Sequence, residues 1–213
     1  MTSVIESKLD KKNNISVFSI SNWSNIDDLQ YTPLREFDRI EIKFAGNIGR
    51  VQGIQYVLNI IKNVENPCVH FVFQGSGACA DVVRKCKSEN ISYYPSYKRS
   101  DEQNVISECT IGLVSLANGM FGLGVPSKTY NLLACGRPII FLGPKDSEIY
   151  NLVKKYDIGW AFDINQSDEI IAFFNNLSLD DFSKLNEKCI KSRYIAENFF
   201  SKDVILNEFL EKI

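Results

Sequence analysis

Ser127, Lys128 and Asn131 stand close together in GVPSKTYNLLACGRPII, residues 124–140, where a turn opens a short predicted helix. Such a turn leaves backbone N–H groups without intrahelical partners, which makes it a seat for an anion. A lysine adds charge to that seat. A serine hydroxyl and an amide can hold phosphate oxygens or sugar hydroxyls. Gly124 and Pro126 shape the turn, and Gly136-Arg137-Pro138 breaks the helix before an apolar strand. Two more glycine-bearing turns offer related chemistry. Gly46-Asn47-Ile48-Gly49-Arg50, followed by Gln52-Gly53, lets backbone amides approach a phosphate, with Arg50 as added charge. Its spacing differs from the dinucleotide fingerprint. Gln74-Gly75-Ser76-Gly77 is the other. Each also reads as a plain strand-to-helix turn. Tyr93, Tyr94 and Tyr97 can stack on a base or pack a strand end. His70 lies inside an apolar strand, where a satisfied core histidine is expected rather than a catalytic base. No Ser/His/Asp or Cys/His arrangement is legible, and the carboxylates form no metal-binding cluster.

These residues need elements to position them. Residues 15–20 alternate apolar and polar and predict a short strand; residues 22–39 read as an irregular connector. Strands are predicted at 40–45, 69–73, 91–94, 110–116, 139–142 and 159–162. The second of them is expected to stop at Gln74. Helices are predicted at 54–64, 80–89, 101–109 (capped by Ser100 or Asp101), 146–156 and 167–177. Residues 180–213 make one or two helices, broken around Phe199-Phe200-Ser201. Strand and helix alternate, and short continuous apolar strands indicate a parallel sheet covered on both faces. The expected fold is α/β, a Rossmann-like doubly wound parallel sheet with ligands at the carboxyl ends of its strands. All three glycine turns then fall on one edge.

Composition narrows the classes. The chain has 213 residues, 45% of them hydrophobic, enough for a buried core. A formal charge of -2 gives no pointer to nucleic acid. The apolar runs are too short to span a bilayer, and the polar start MTSVIESKLDKKNN lacks a signal-peptide segment, so a cytoplasmic location is expected. Six cysteines without a CxxC pair, beside one histidine, read as buried free thiols of a reducing compartment rather than a zinc site. Asn22-Trp23-Ser24 and Asn90-Ile91-Ser92 match the glycosylation pattern by chance on that reading.

FAGNIGRVQGIQYVLNII, VHFVFQGSG and LVSLANGMFGLGVPSKTYNLLACGRPII, in this order, resemble the donor-binding half of retaining glycosyltransferases of family 4. The likeness is closest to bacterial members that build surface polysaccharides, and it covers residues 15–213. Those enzymes have the GT-B fold, two Rossmann-like domains with the active site between them. The resemblance implies a single GT-B half: residues 1–39 as exit segment and connector from an N-terminal domain, residues 40–213 as the nucleotide-sugar-binding domain. It implies that Gly46, Asn47, Gly49, Gln52 and Gly53 face the donor diphosphate, with Lys128 and Arg50 as the catalytic charges. Gln74, Gly75 and Gly77 would approach the nucleoside, with Tyr97 near the base. Gly124 and Ser127 would meet sugar and diphosphate. Asn131 falls where the family usually has a glutamate that holds the ribose hydroxyls. The first loop also lacks the arginine and lysine of many relatives, which leaves Arg50, Lys128 or Arg99 to meet the diphosphate.

The implied reaction moves a sugar from a nucleotide diphosphate sugar to a saccharide or lipid-linked acceptor in polysaccharide biosynthesis, without a metal or other cofactor. One half leaves the cleft open, so the chain is expected to bind donor and to transfer poorly alone. A separate polypeptide would supply the other half, and peripheral docking at the inner face of the membrane would go with it. The alternative is a non-catalytic nucleotide-sugar-binding subunit or a truncated remnant. A sugar-nucleotide epimerase of the related two-domain type would want histidine and carboxylates in the cleft, and His70 sits in a strand.

Overall fold

The computed structural model describes residues 20–120 and 126–212. Six parallel strands form one sheet in the order β3-β2-β1-β4-β5-β6. They are β1 (Ile40–Asn47), β2 (Val69–Ser76), β3 (Ile91–Tyr94), β4 (Ile111–Ser115), β5 (Ile139–Leu142) and β6 (Gly159–Phe162). The helices that follow the strands are α1 (Ile54–Ile61), α2 (Ala80–Arg84), α3 (Glu102–Ser107), α4 (Lys128–Ala134), α5 (Glu148–Tyr156) and, after β6, α6 (Ser167–Asn175). Two more, α7 (Phe182–Phe199) and α8 (Lys202–Leu210), close the chain. The chain winds outward from β1 through β2 to β3, then returns to place β4 on the other side of β1. The predicted strand at 15–20 falls almost wholly outside the described residues.

The sheet is covered on both faces, and its central strands bury apolar side chains on both sides. All four residues of β5 are buried: Ile140 and Leu142 join one core cluster, Ile139 and Phe141 the other. The first cluster packs α1 and α6 on the sheet, with Phe174 edge-on to Phe71 at 5.0 Å between ring centroids. The second holds α4, α5 and α7. Each buried Ile, Leu or Phe contributes about 1.5–3 kcal/mol. Helix α1 shows how local sequence meets this demand. Ile54, Val57, Leu58 and Ile61 fall on one stripe, and Gly53, at φ 62, starts the helix in the left-handed region. At the other end of the chain Phe199, the last residue of α7, packs on Tyr156, and Phe200, just beyond it, on Tyr130. Ser201 then caps α8 by accepting the Val204 N–H.

Three expectations change. The glycines do not stop the first two strands. β1 runs through Gly46-Asn47 and β2 through Gly75-Ser76, paired Gly46 with Gly75 and Asn47 with Ser76. With no Cβ the two backbones come close enough to extend the ladder; a Cβ on Gly75 would lie 1.8 Å from the Gly46 carbonyl oxygen. Helix α2 ends at Arg84, well short of residue 89. Neither Ser100 nor Asp101 caps α3: a 3-10 turn, Arg99–Asp101, leads into it, and the Ser100 hydroxyl donates to Asp101 instead.

The connector, residues 20–39, carries no helix and a single bridge between Ser24 and Ser201. It is pinned from below. Arg193 donates to the carbonyls of Leu29 at 2.8 Å and Ala134 at 2.6 Å, and buried Arg137 donates to Thr32 O at 2.7 Å. The cysteines are free thiols, with Cys109, Cys135 and Cys189 buried. Among the described residues no helix is long and apolar enough to cross a membrane.

His70 is the partnered strand histidine its setting predicts, with Nε2 2.8 Å from Ser92 Oγ. Burial first, then Arg39, holds its pKa below the ordinary 6.5. The unfolded chain therefore takes up the proton first on acidification. The stability His70 contributes is complete above pH 6.5 and is lost as pH falls through the folded value. We expect the melting temperature of the wild type to drop more between pH 7.5 and 5.5 than that of His70→Gln. Equal drops would show that His70 does not contribute.

Candidate functional site

The site is built around an absence of side chain at Gly46. This residue has φ 120, and a Cβ there would fall 0.7 Å from Lys128 Nζ. The space is taken by the lysine, which reaches from the start of α4 to the carboxyl end of β1 and donates to Ala45 O at 2.7 Å. Burial lowers the Lys128 pKa, and the neighbouring Glu102 carboxylate partly restores it. Its position is at the switch point of the sheet, where the strand order turns between β1 and β4.

Among the described residues, three cavities meet at this lysine. One of 260 Å³ lies between β1, β4 and α4, over Asn47, Gln52, Ser115 and Tyr97. One of 280 Å³ opens over the glycine strand ends, lined by Gly46, Gly75, Ser96, Tyr97 and Arg99. One of 440 Å³ faces the connector, lined by Asn22, Trp23, Asn25, Arg99, Ser127 and Asn131. Lys128 and Glu102 line all three. Tyr97, half-buried, lines the first two, its phenol pushed up to about 12 by burial and then by Glu102. The floor of the first cavity is Lys43, a buried cation held by Glu41 at 3.2 Å and Glu108 at 3.1 Å. Burial alone would lower its pKa; these carboxylates and Cys109 raise it instead.

α4 is a seven-residue helix, and two of its first amides are engaged in turns: Thr129 N–H donates to Pro126 O and Tyr130 N–H to Ser127 O, both at 3.1 Å. The charge at this helix start is the Lys128 side chain. Ser127 is exposed at the mouth of the connector-side cavity. Gly124 lies outside the described residues.

The other predicted residues divide. Gln52 braces its loop: its Oε1 accepts the Gly49 N–H at 3.1 Å, and its carbonyl accepts the Ser115 hydroxyl at 2.7 Å. Asn47 is exposed and lines the cavity beneath Lys128. Gly53 starts α1 against Ala117. Gly77 packs against Asn47 and Ile48, where its Cβ would come within 2.6 Å of Ile48 O. Gln74 sits within β2 between Ala45 and Tyr94. Neither Gly77, Gln74 nor exposed Arg50 lines any of the three cavities, whereas Arg99 lines two.

Glu102 was missed from the sequence. It stands in the first turn of α3, and its Oε1 accepts the Asn131 side-chain N–H at 3.0 Å. The signal was an acidic residue three positions beyond Arg99 of the Tyr97-Lys98-Arg99 loop, a loop already marked for ligand contact. The arrangement gathers Lys128, Arg99, Glu102, Asn131 and Tyr97 around one crevice. That set can hold an anionic group beside hydroxyls.

No protein-family profile matches the chain. In sequence it is 30% identical over 207 residues to the probable glycosyltransferase WbjE of Pseudomonas aeruginosa, which covers 91% of this chain and 51% of that protein. The chain thus spans about half the length of this curated relative. In structure it is similar to S. aureus TarM, solved in complex with Fondaparinux, alpha-GlcNAc-glycerol and UDP: the TM-score is 0.76 at 16% identity, over 99% of this chain and 41% of TarM. Anabaena Alr3699/HepE, solved with UDP and glucose, gives 0.70 at 15% identity, over 91% of this chain and 55% of HepE. At such identities the structural likeness shows the fold alone. The chain is therefore similar in sequence to a probable glycosyltransferase and has the Rossmann-like α/β fold of one half of a GT-B enzyme.

Proposed function

We propose that the chain is the donor-binding half of a glycosyltransferase of the family 4, retaining type, and that the crevice at Lys128 holds a nucleotide diphosphate sugar. The observation that carries this reading is the Lys128 ammonium at the carboxyl end of β1, flanked by Arg99 and Tyr97. Parallel sheets of this kind take ligands at that edge, where the strand order reverses. The similarity to WbjE and the UDP found in two structural neighbours support it.

In the reaction the bond between the sugar's anomeric carbon and the diphosphate oxygen breaks, the acceptor oxygen bonds to that carbon, and the acceptor's hydroxyl proton passes to the departing diphosphate. Charge grows on the departing diphosphate. Lys128 and Arg99 stabilise it; exposed Arg50 lines none of the three cavities. On this reading the two side chains meet the diphosphate without a metal. The acceptor, a saccharide or lipid-linked saccharide of polysaccharide biosynthesis, would be presented by an N-terminal half, on the same or a separate polypeptide.

Calorimetric titration with UDP, GDP and their sugar conjugates tests the reading. At least one is expected to bind, and binding of none would overturn it. Lys128→Ala is expected to weaken that binding by about tenfold or more, the loss of one charge-assisted contact. An unchanged affinity would remove Lys128 from the seat. A non-catalytic nucleotide-sugar-binding subunit is the second reading, which Asn131 would favour if it stood alone. The Glu102 carboxylate beside it weakens that argument. Transfer assays with and without an N-terminal half separate the two.

A further inference from the structure

We infer that Glu102, held by Asn131, is the specificity-determining residue that reads the ribose hydroxyls of the bound nucleotide. This rests on the nucleotide-sugar reading of the crevice and deepens it.

A carboxylate lining all three cavities around Lys128 works against a phosphate seat, because it repels the anion the lysine attracts. It does not close on the lysine either: Lys128 Nζ donates to Ala45 O, and no ion pair with Glu102 forms. What Glu102 does engage is Asn131, at 3.0 Å. An ionised carboxylate only accepts, so the amide must turn its N–H to it. Two acceptors then remain on the bonded pair, Glu102 Oε2 and Asn131 Oδ1, neither with a partner among the described residues. Adjacent acceptors suit adjacent donors, and a vicinal diol supplies two.

Position decides which diol. Glu102 lines every cavity that Lys128 lines, and two of the three with Tyr97. It therefore shares the crevice with both an aromatic ring able to carry a base and the cation proposed for the diphosphate. The ribose of a nucleoside diphosphate joins those two groups, whereas the hydroxyls of a transferred sugar lie beyond the diphosphate from the base.

The test compares ribo and 2′-deoxyribo forms of the same diphosphate, UDP against 2′-deoxy-UDP and GDP against 2′-deoxy-GDP, by titration calorimetry. The wild type is expected to prefer the ribo form by about tenfold, the worth of a hydrogen bond to a charged acceptor. Glu102→Gln, which keeps the shape, is expected to bring the two forms within about threefold of each other. It should bind inorganic pyrophosphate as well as the wild type or better, since a repelling charge is gone. A merely structural loss would weaken all ligands together and leave the ratio unchanged.

Two outcomes overturn the inference: a wild-type ratio near one, or a ratio that Glu102→Gln leaves intact. An effect of Glu102→Gln confined to sugar conjugates, with the UDP to 2′-deoxy-UDP ratio unmoved, assigns the carboxylate to the transferred sugar and overturns it too. Failure of the wild type to bind any nucleotide is a different result, which overturns the donor-binding reading itself.

Discussion

Gly46→Ala is expected to abolish the lysine seat while leaving the protein folded. The new methyl would occupy the Lys128 ammonium position, 0.7 Å from Nζ and 2.1 Å from Cε. The far end of a flexible side chain yields more easily than backbone, so Lys128 is expelled from Ala45. The backbone also keeps φ 120, which an L-residue tolerates at about 1–3 kcal/mol. For a chain of this size that lowers the melting temperature by roughly 2–4 °C per kcal/mol. Nucleotide affinity should fall by at least the tenfold expected for Lys128→Ala. Combining the two substitutions should cost little further affinity, because both remove one contact. Independent, multiplying losses would show that Gly46 acts on the ligand by its own backbone rather than through Lys128.

Arg137→Ala is expected to have the largest effect on stability. Arg137 is 1% exposed and has no carboxylate partner among the described residues. Its Nη2 donates to Thr32 O at 2.7 Å, Nη1 lies 3.9 Å from Cys189 Sγ, and Nε has no partner. Truncation leaves a cavity the size of the side chain and an unsatisfied carbonyl. Together these cost about 3–5 kcal/mol. Arg137→Met keeps most of the volume and removes a buried charge, so its loss should be smaller, about 1–3 kcal/mol. Chemical denaturation of the three proteins gives both numbers. A methionine variant as unstable as the alanine one would mean that the guanidinium charge, rather than its bulk, holds the site. Loss of the Thr32 contact should also loosen the connector that carries Trp23 and Asn22 to the mouth of the crevice.

The sheet was legible because its signal is local. β3, β5 and β6 begin and end where the apolar runs at 91–94, 139–142 and 159–162 do. The break before Ser201 was visible as an aromatic pair followed by a cap. Lys128 could be chosen because a lysine at a glycine-bounded helix start is unusual chemistry in so apolar a stretch. The glycine turns were misread because strand ends depend on a neighbour. Gly46 and Gly75 continue their ladders only because each meets the other, 29 positions apart in sequence and adjacent in register. Glu102 and Asn131 are likewise 29 residues apart, and nothing in either local pattern shows that α3 and α4 bring them to one crevice. Arg50, a suitable residue in a suitable loop, is exposed and lines none of the three cavities.

The lysine lodged under Gly46 has a thermodynamic consequence. A free lysine side chain carries several rotatable bonds, and immobilising it on a ligand costs roughly 1.5–2 kcal/mol of rotamer freedom. Lys128 has already lost that freedom in the unliganded protein, fixed to Ala45 O with a glycine on one side and cavity on the others. The ordering penalty thus falls on folding, and a diphosphate entering the crevice meets a preorganised charge.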